Sequence, residues 1–306
     1  MSEVSLSVIM PAYNCESLVA SAINSVLDQT YSDFELLVAD DASIDKTKKI
    51  IDELATKDSR IKTFHNDVNQ GYLRASNLLF AKCKGKFITF QDADDLSDTT
   101  RFEKLMKAFT QNNDVDCIGS NSLSFVNNPK EGVKSEFPTT YEKILSDYPT
   151  KIVITGSALM IKRRVLEKVG FYNVFFDRIA SEDIYWYGCI IDEFKAINLD
   201  EPLYFYRANP NSLTRNHKNE RALISHDVCM YVYALRKKYG RDPIRDNDKR
   251  ELDFICTKLL AEYYIKKGNL KKAFSKLLNL LTVVYKLDVG FFKLFIRQTI
   301  YHTIHI

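Results

Sequence analysis

Gly85-Lys86-Phe87-Ile88-Thr89-Phe90-Gln91-Asp92-Ala93-Asp94-Asp95 decides how the chain is read. Phe87 to Phe90 predicts a short buried strand, because β-branched and aromatic residues suit a pleated surface and the run is bounded by a glycine and an acidic turn. Residues two apart on an extended chain point the same way, so Asp92 and Asp94 converge just past the strand's carboxyl end. Such a cluster repels itself unless a cation sits in it, and hard oxygen ligands suit Mg²⁺ or Mn²⁺. The carboxyl ends of strands in open α/β sheets are also where nucleotides and phosphates bind. By itself an Asp-x-Asp also describes a solvated turn, or the cap of the following helix with Ser97 or Asp98 in that role. The Asp-x-Asp-x-Thr nucleophile loop of phosphatases needs Thr where Leu96 stands.

Upstream, strands and helices alternate. Val4 to Met10 predicts a strand ended by Pro11, and Cys15 to Leu27 has apolar residues at helical spacing. Phe34 to Ala39 predicts a second strand ending in Asp40-Asp41-Ala42-Ser43, with Ser43 capping a helix over Ile44 to Ala55. Arg60 to His65 reads as a third strand, Asn69-Gln70-Gly71 as a turn, and Tyr72 to Lys82 as the helix leading into the acidic stretch. This alternation means a mostly parallel sheet with helices on both faces. The loops after the first, second and fourth strands then share one rim, and three polar loops on one rim make a pocket.

Composition narrows the class. The chain has 306 residues, 45% hydrophobic and 27% charged, as expected of a globular protein with a sizeable core. A net charge of +3 gives no argument for nucleic acid. From Lys258 onward, however, nine Lys or Arg face two acids. The six cysteines are spread without a C-x-x-C pair, which predicts buried thiols in a reducing cytoplasm. A strand beginning at Val4 leaves no room for a signal peptide, and no apolar run reaches the ~18 to 20 residues of a spanning helix.

Downstream, Arg101 to Asn112 predicts a helix whose Phe102, Leu105, Met106 and Phe109 form a core stripe. Asp116 to Val126 returns as strand, 127–149 as an irregular excursion on the acceptor side, Gly156 to Ile161 as strand, and Arg163 to Val169 as a helix stopped by Gly170. Ser181 is placed to cap a helix opened by Glu182-Asp183. Phe194 to Leu199 and Leu203 to Arg207 read as two strands closing the domain. Beyond Asn219 four helices are expected, Arg221 to Tyr239, Asp248 to Lys267, Leu270 to Lys286 and Gly290 to His302, the second and third resembling one tetratricopeptide-type hairpin.

Taken in order, Ser7-Val8-Ile9-Met10-Pro11-Ala12-Tyr13-Asn14, Ala39-Asp40-Asp41-Ala42-Ser43-Ile44-Asp45, Asn69-Gln70-Gly71 with Arg74 and Asn77, and Asp92-Ala93-Asp94-Asp95 resemble the successive motifs of family 2 glycosyltransferases. The resemblance implies the Rossmann-like GT-A fold, with a catalytic domain over 1–218 (nucleotide-sugar half 1–98, acceptor half 99–218) and a helical extension over 219–306. It implies inverting transfer from a nucleotide sugar, usually a UDP-sugar, to a saccharide or lipid-linked saccharide acceptor, with Mn²⁺ or Mg²⁺. By the same resemblance Pro11, Tyr13, Asn14, Asp41, Arg74, Asn77, Asp92 and Ala93 line the donor site. Within it Tyr13 stacks on the base, Asp41 bonds its edge and Arg74 lies near the pyrophosphate. Asp92 and Asp94 reach the ribose and metal, with Asp95 a competing ligand. Glu182-Asp183 resembles the late Glu-Asp pair whose Asp is the general base. Trp186 could floor a sugar pocket or belong to the core, and the loop of Arg215 and His217 could fold over the pyrophosphate, with His217 a metal ligand or Arg215 a phosphate clamp, or be solvated. The setting so implied is bacterial surface-polysaccharide assembly in the cytoplasm, at the inner face of the membrane, with the basic C-terminal helices touching lipid or a partner copy. A nucleotidyltransferase would show a Gly-rich basic loop where Pro11-Ala12-Tyr13-Asn14 stands, and a non-catalytic nucleotide-sugar scaffold would not need Glu182-Asp183.

Overall fold

A computed structural model describes residues 4–208 and 219–285, with side chains through residue 280. These residues form two compact units, 4–208 and 219–285.

In the first unit, strands β1 (Leu6–Ala12) and β2 (Phe34–Asp40) are buried at every position. Both faces of these parallel strands are covered, which is why their sequences are almost continuously apolar. β3 (Ile61–His65) is half exposed along the edge, and β4 (Phe87–Phe90) pairs parallel to β1. The return strands are β5 (Leu96–Ser97), β6 (Cys117–Phe125), β7 (Val133–Lys134), β8 (Met160–Lys162) and β9 (Ala196–Arg207). Among the described residues the strands make one mixed sheet in the order β3-β2-β1-β4-β8-β6-β9-β5, with β7 on β6. Helices α1 (Val19–Leu27), α2 (Thr47–Ala55), α3 (Tyr72–Lys82), α4 (Arg101–Gln111), α5 (Tyr141–Asp147), α6 (Arg163–Val169) and α7 (Glu182–Glu193) flank it. Leu6, Val8, Met10, Val38, Ile23 and Phe102 belong to one buried core.

Chain order runs outward from β1 through β2 to β3, then crosses back to set β4 on the other side of β1. The crevice past the carboxyl ends of β1 and β4 is therefore a topological switch point, where such sheets bind ligands. Just before β4 only a glycine fits at position 85, because a Cβ there would collide with the backbone of Leu6 and Ser7.

Local expectations were revised in four places. β1 continues through Pro11 to Ala12, because β4 pairs with β1 only as far as Ile9 and the missing proline N–H breaks no ladder there. Ser43 does not cap α2; its hydroxyl accepts the Asn14 N–H at 3.0 Å instead. Gly156 to Ala158 forms a 3₁₀ turn before a shorter strand, and α5 and β7 occupy the excursion at 127–149. The two closing strands are one, β9, whose pairing with β6 shifts register around Asn121. The six cysteines carry no disulfide, and all but Cys15 are buried.

In the second unit, α8 (Ser225–Tyr239), α9 (Lys249–Lys266) and α10 (Leu270–Tyr285) are three of the four expected helices. Asp248 caps α9 by accepting the N–H groups of Arg250 and Glu251. Ala261 and Tyr264 of α9 and Ala273 of α10 are buried, as a tetratricopeptide-type hairpin requires. The helix expected over Gly290 to His302, and the loop carrying Arg215 and His217, lie outside the described residues. No helix among the described residues is long and apolar enough to cross a membrane.

Candidate active site

The acidic turn after β4 sits at the switch point, and its three carboxylates have three different environments. Asp92 is half-buried, with Oδ1 accepting the Tyr72 hydroxyl at 3.1 Å and Oδ2 the Ser157 hydroxyl. Asp94 is half-buried too, but among the described residues no other residue donates to its carboxylate; Arg207 Nε bonds its carbonyl. Asp95 is 1% exposed, with Oδ2 accepting the Tyr204 hydroxyl at 2.9 Å and Oδ1 the Arg207 N–H at 2.6 Å. Asp95 therefore braces β9 through both of its oxygens. The alternation along the turn that turns Asp92 and Asp94 outward turns Asp95 inward.

α7 brings the late acidic pair to the same place. Ser181 stands at its N-cap with φ 70°, and its side chain makes no capping bond. The pair is thus set by a left-handed backbone, with Arg178 and Ala180 also at positive φ in the preceding loop. Asp183 Oδ1 accepts the Ile184 N–H at 2.8 Å, and a Cβ at Gly156 would lie 2.7 Å from Asp183 Oδ2. Only a glycine lets the 3₁₀ turn come this close to the carboxylate.

Burial governs the electrostatics. It raises Asp92 to about 6, with the Asp94 charge adding to it. Glu182 is raised to about 8 by burial, then by the Asp183 charge. Asp183 and Asp94 are pushed up by burial, and Asp95 well up by burial and then by Asp92. The charges of Asp92 and Asp183 act on each other and on Glu182, so the acidic turn and α7 share one cluster. A site that retains protons against burial and mutual repulsion is one a cation would discharge.

Among the described residues no three His, Cys, Asp or Glu side chains converge as a ligand set. Asp94 alone offers an open carboxylate, which suits a divalent ion held by one or two carboxylates and the phosphates of a bound substrate.

On the neighbouring loops, Tyr13 is 47% exposed and offers a ring face. Asn14, at φ 48°, staples the first loop to the second by accepting the Ile44 N–H at 2.9 Å. Asp41 has a different task from the one its motif implied. Its Oδ1 accepts Asn66 Nδ2 at 2.7 Å and Gln70 N–H at 2.9 Å, and its Oδ2 accepts Gly71 N–H at 2.7 Å. Both oxygens hold the 66–71 loop. The neighbouring Asp40, 1% exposed, has a buried Oδ1 with no partner, a feature that sequence reading passed over. Its signal was the pair itself, since adjacent residues at a strand end face opposite ways.

Five further residues named from the sequence are placed as follows. Asn77 pairs reciprocally with the backbone of Tyr172, at 2.8 and 3.0 Å, and is a packing residue. Arg74 Nε bonds Asp177 at 2.7 Å, on a side of α3 well turned from that of Tyr72, because two helical residues diverge by about 200°. Ala93 is 6% exposed and Pro11 is buried, so neither presents its side chain to a ligand. Trp186 is 3% exposed, donates to the Gly170 carbonyl at 2.8 Å and packs among Phe80, Phe90 and Tyr172, which is the core reading of the two the sequence offered.

Residues 7–170, more than half of the chain, match the model of "Glycosyl transferase family 2". The chain belongs to that family. This glycosyltransferase is 32% identical over 224 residues to WfgD of Escherichia coli, a UDP-Glc:alpha-D-GlcNAc-diphosphoundecaprenol beta-1,3-glucosyltransferase, covering 72% of this chain and 83% of that one. Its structure resembles S. aureus TarS 1-349 in complex with UDP-GlcNAc, with TM-score 0.64, 17% identity, and 92% and 81% of the two chains covered. It also resembles the mannosyltransferase PcManGT from Pyrobaculum calidifontis in complex with GDP-Man and Mn²⁺, with TM-score 0.57, 16% identity, and 97% and 79% covered. At these identities the likeness is one of fold, and it is the GT-A fold expected. The family match ends before α7, so Glu182 and Asp183 rest on the geometry of the glycosyltransferase's own site.

Proposed function

We propose that this glycosyltransferase moves a sugar, with inversion, from a UDP-sugar to a hydroxyl of a lipid-linked saccharide during bacterial surface-polysaccharide assembly, at the cytoplasmic face of the membrane. The observation that supports the reading is that one 3₁₀ turn touches both acidic groups, Gly156 lying against Asp183 and Ser157 bonding Asp92, with the charges of Asp94, Asp92 and Asp183 acting across them. Tyr13 stacks on the base, and the unpartnered oxygen of Asp40 accepts its imide N–H. Asp92, oriented by Tyr72 and Ser157, meets the donor's ribose and phosphate side. A divalent ion on Asp94 would supply positive charge to the departing diphosphate. The acceptor in WfgD's name, a diphosphoundecaprenol-linked sugar, supports a lipid-linked acceptor here.

Glu182, raised to about 8, carries the proton of the pair at neutral pH, which leaves Asp183 anionic as the base. As the acceptor oxygen bonds to the anomeric carbon, its proton passes to Asp183 and the bond from that carbon to the diphosphate breaks. No covalent sugar intermediate forms. Asp183→Asn is expected to bind UDP as the wild type does, while transfer falls by about 10² to 10⁴. Calorimetric titration with UDP-, GDP- and dTDP-sugars, with Mn²⁺ and then chelator, identifies the donor. Absence of binding to all of them would overturn the reading in favour of a scaffold.

A further inference from the structure

Beneath the acidic turn lies a buried arginine that the transfer chemistry has not yet used. Arg101 opens α4 and is 0% exposed. One terminal nitrogen donates to the Phe90 carbonyl at 3.1 Å and to Ser97 Oγ at 2.9 Å. The other donates to Thr89 Oγ1 at 2.9 Å and to the Ser157 carbonyl at 2.7 Å. The guanidinium also lies over the Tyr204 ring, 4.9 Å from its centroid. Among the described residues it forms no salt bridge; its acceptors are neutral carbonyls and hydroxyls.

Burying a charge on neutral partners is a poor route to stability, and an apolar side chain of similar volume often fills such a space at lower cost. An apolar side chain could not hold Ser157 and Tyr204 together. With Tyr72, which donates to Oδ1, those two residues fix Asp92: Ser157 Oγ donates to its Oδ2, and Tyr204 Oη accepts its N–H at 3.1 Å. Arg101 thus ties the end of β4, the 3₁₀ turn and β9 to one carboxylate, with a planar fork that lysine lacks. It also sets a positive charge under a cluster of carboxylates, and the charges of Asp92 and Asp95 both act on it.

We propose that Arg101 is a positioning residue of the glycosyltransferase, fixing Ser157 and Tyr204 so that Asp92 is held, oriented and counter-charged for the donor diphosphate. The inference rests on the reading that Asp92 meets the donor, and the test separates the two. UDP is titrated calorimetrically, with Mn²⁺, into wild type, Asp92→Asn, Ser157→Ala, Arg101→Met, Arg101→Lys and the Arg101→Met/Ser157→Ala double variant, with affinity expressed per competent site. If wild type does not bind, or Asp92→Asn binds as wild type does, the donor-site reading fails. If Asp92→Asn weakens binding, Ser157→Ala and Arg101→Met are each expected to weaken it by about 10- to 100-fold, the scale of losing a hydrogen bond to a charged group. The double variant should then fall within about threefold of Arg101→Met, because both changes break the same path. Arg101→Lys should lie between, keeping the charge without the fork. Arg101→Met that melts earlier but binds UDP per site within about threefold of wild type would reduce Arg101 to a packing residue and overturn the proposal. Should Arg101→Met not fold, Arg101→Lys decides: wild-type affinity overturns the proposal, and weakened affinity with full site occupancy supports it.

Discussion

Glu182 stores a pH-dependent destabilisation whose size follows from its place in the cluster. Burial, and then Asp183, raise its folded pKa from 4.5 to about 8. Between those values the folded state binds more protons than the unfolded state, so stability falls as pH rises. The contribution is fully present below about pH 4.5 and is lost as pH climbs through about 8. Taking the unfolded value as 4.5, ionisation of this group removes roughly 1 kcal/mol by pH 5 and about 3 kcal/mol by pH 7. The figure at pH 7 is set mainly by the unfolded pKa, since pH 7 is still below the folded one. Glu182→Gln keeps the shape and removes the titration. The sole tryptophan, Trp186, lies one helical turn away in the buried face of α7, so its fluorescence reports unfolding of this unit. Urea midpoints for wild type and Glu182→Gln, measured without divalent ions from pH 5 to 8, should diverge with rising pH. The variant should gain about 2 to 3 kcal/mol on wild type between pH 5 and 7. Parallel curves would mean that Glu182 ionises freely, and the shared-proton account of the Glu182–Asp183 pair would be wrong.

Two paired comparisons test which aspartate does what. Asp94→Ala should change stability by less than about 1 kcal/mol yet abolish the Mn²⁺ dependence of UDP binding. Asp95→Ala strands the Tyr204 hydroxyl and the Arg207 N–H and should lower stability by about 2 to 4 kcal/mol, read from the same urea curves. Similarly, Asp41→Ala deprives Asn66, Gln70 and Gly71 of their acceptor, for a loss of about 2 to 4 kcal/mol. Asp40→Ala removes one oxygen with no protein partner and one that accepts the Ser43 N–H at 3.4 Å, so it should cost about 1 kcal/mol or less while weakening UDP by about 10-fold or more in calorimetry.

Hydrophobic pattern and turn chemistry are local, and they were legible along the chain. Tyr72–Lys82 and Arg163–Val169 are helices between the residues the pattern marked, and Phe87 to Phe90 is the strand that ends in the acidic turn. The ordered motifs were enough to show the family and the mixed, mostly parallel GT-A sheet, because alternating strands and helices allow few other arrangements. Which oxygen is free within each acidic pair was not legible. Adjacent carboxylates look alike in sequence, but a step of one residue turns a side chain to the other side of the backbone. Tertiary partners then decided that Asp41 holds a loop while an oxygen of Asp40 is left buried without a partner, and that Asp95 braces β9 while Asp94 stays half-exposed.

The same reason separates the rest. Asn77, Arg74 and Trp186 were placed near the donor or the sugar by motif or by residue type, and each is occupied by a partner roughly 16 to 103 residues away in sequence. Arg101 read as the unremarkable start of an amphipathic helix, since its partners come from β4, the turn at Ser157 and β9. The sequence by itself determined the sheet, its rim of acidic loops and the family. Only the tertiary structure decided which carboxylates face the pocket, that Glu182 and Asp183 join Asp92 there, and that a buried guanidinium lies beneath them, because burial and long-range hydrogen bonds exist only once the sheet has closed.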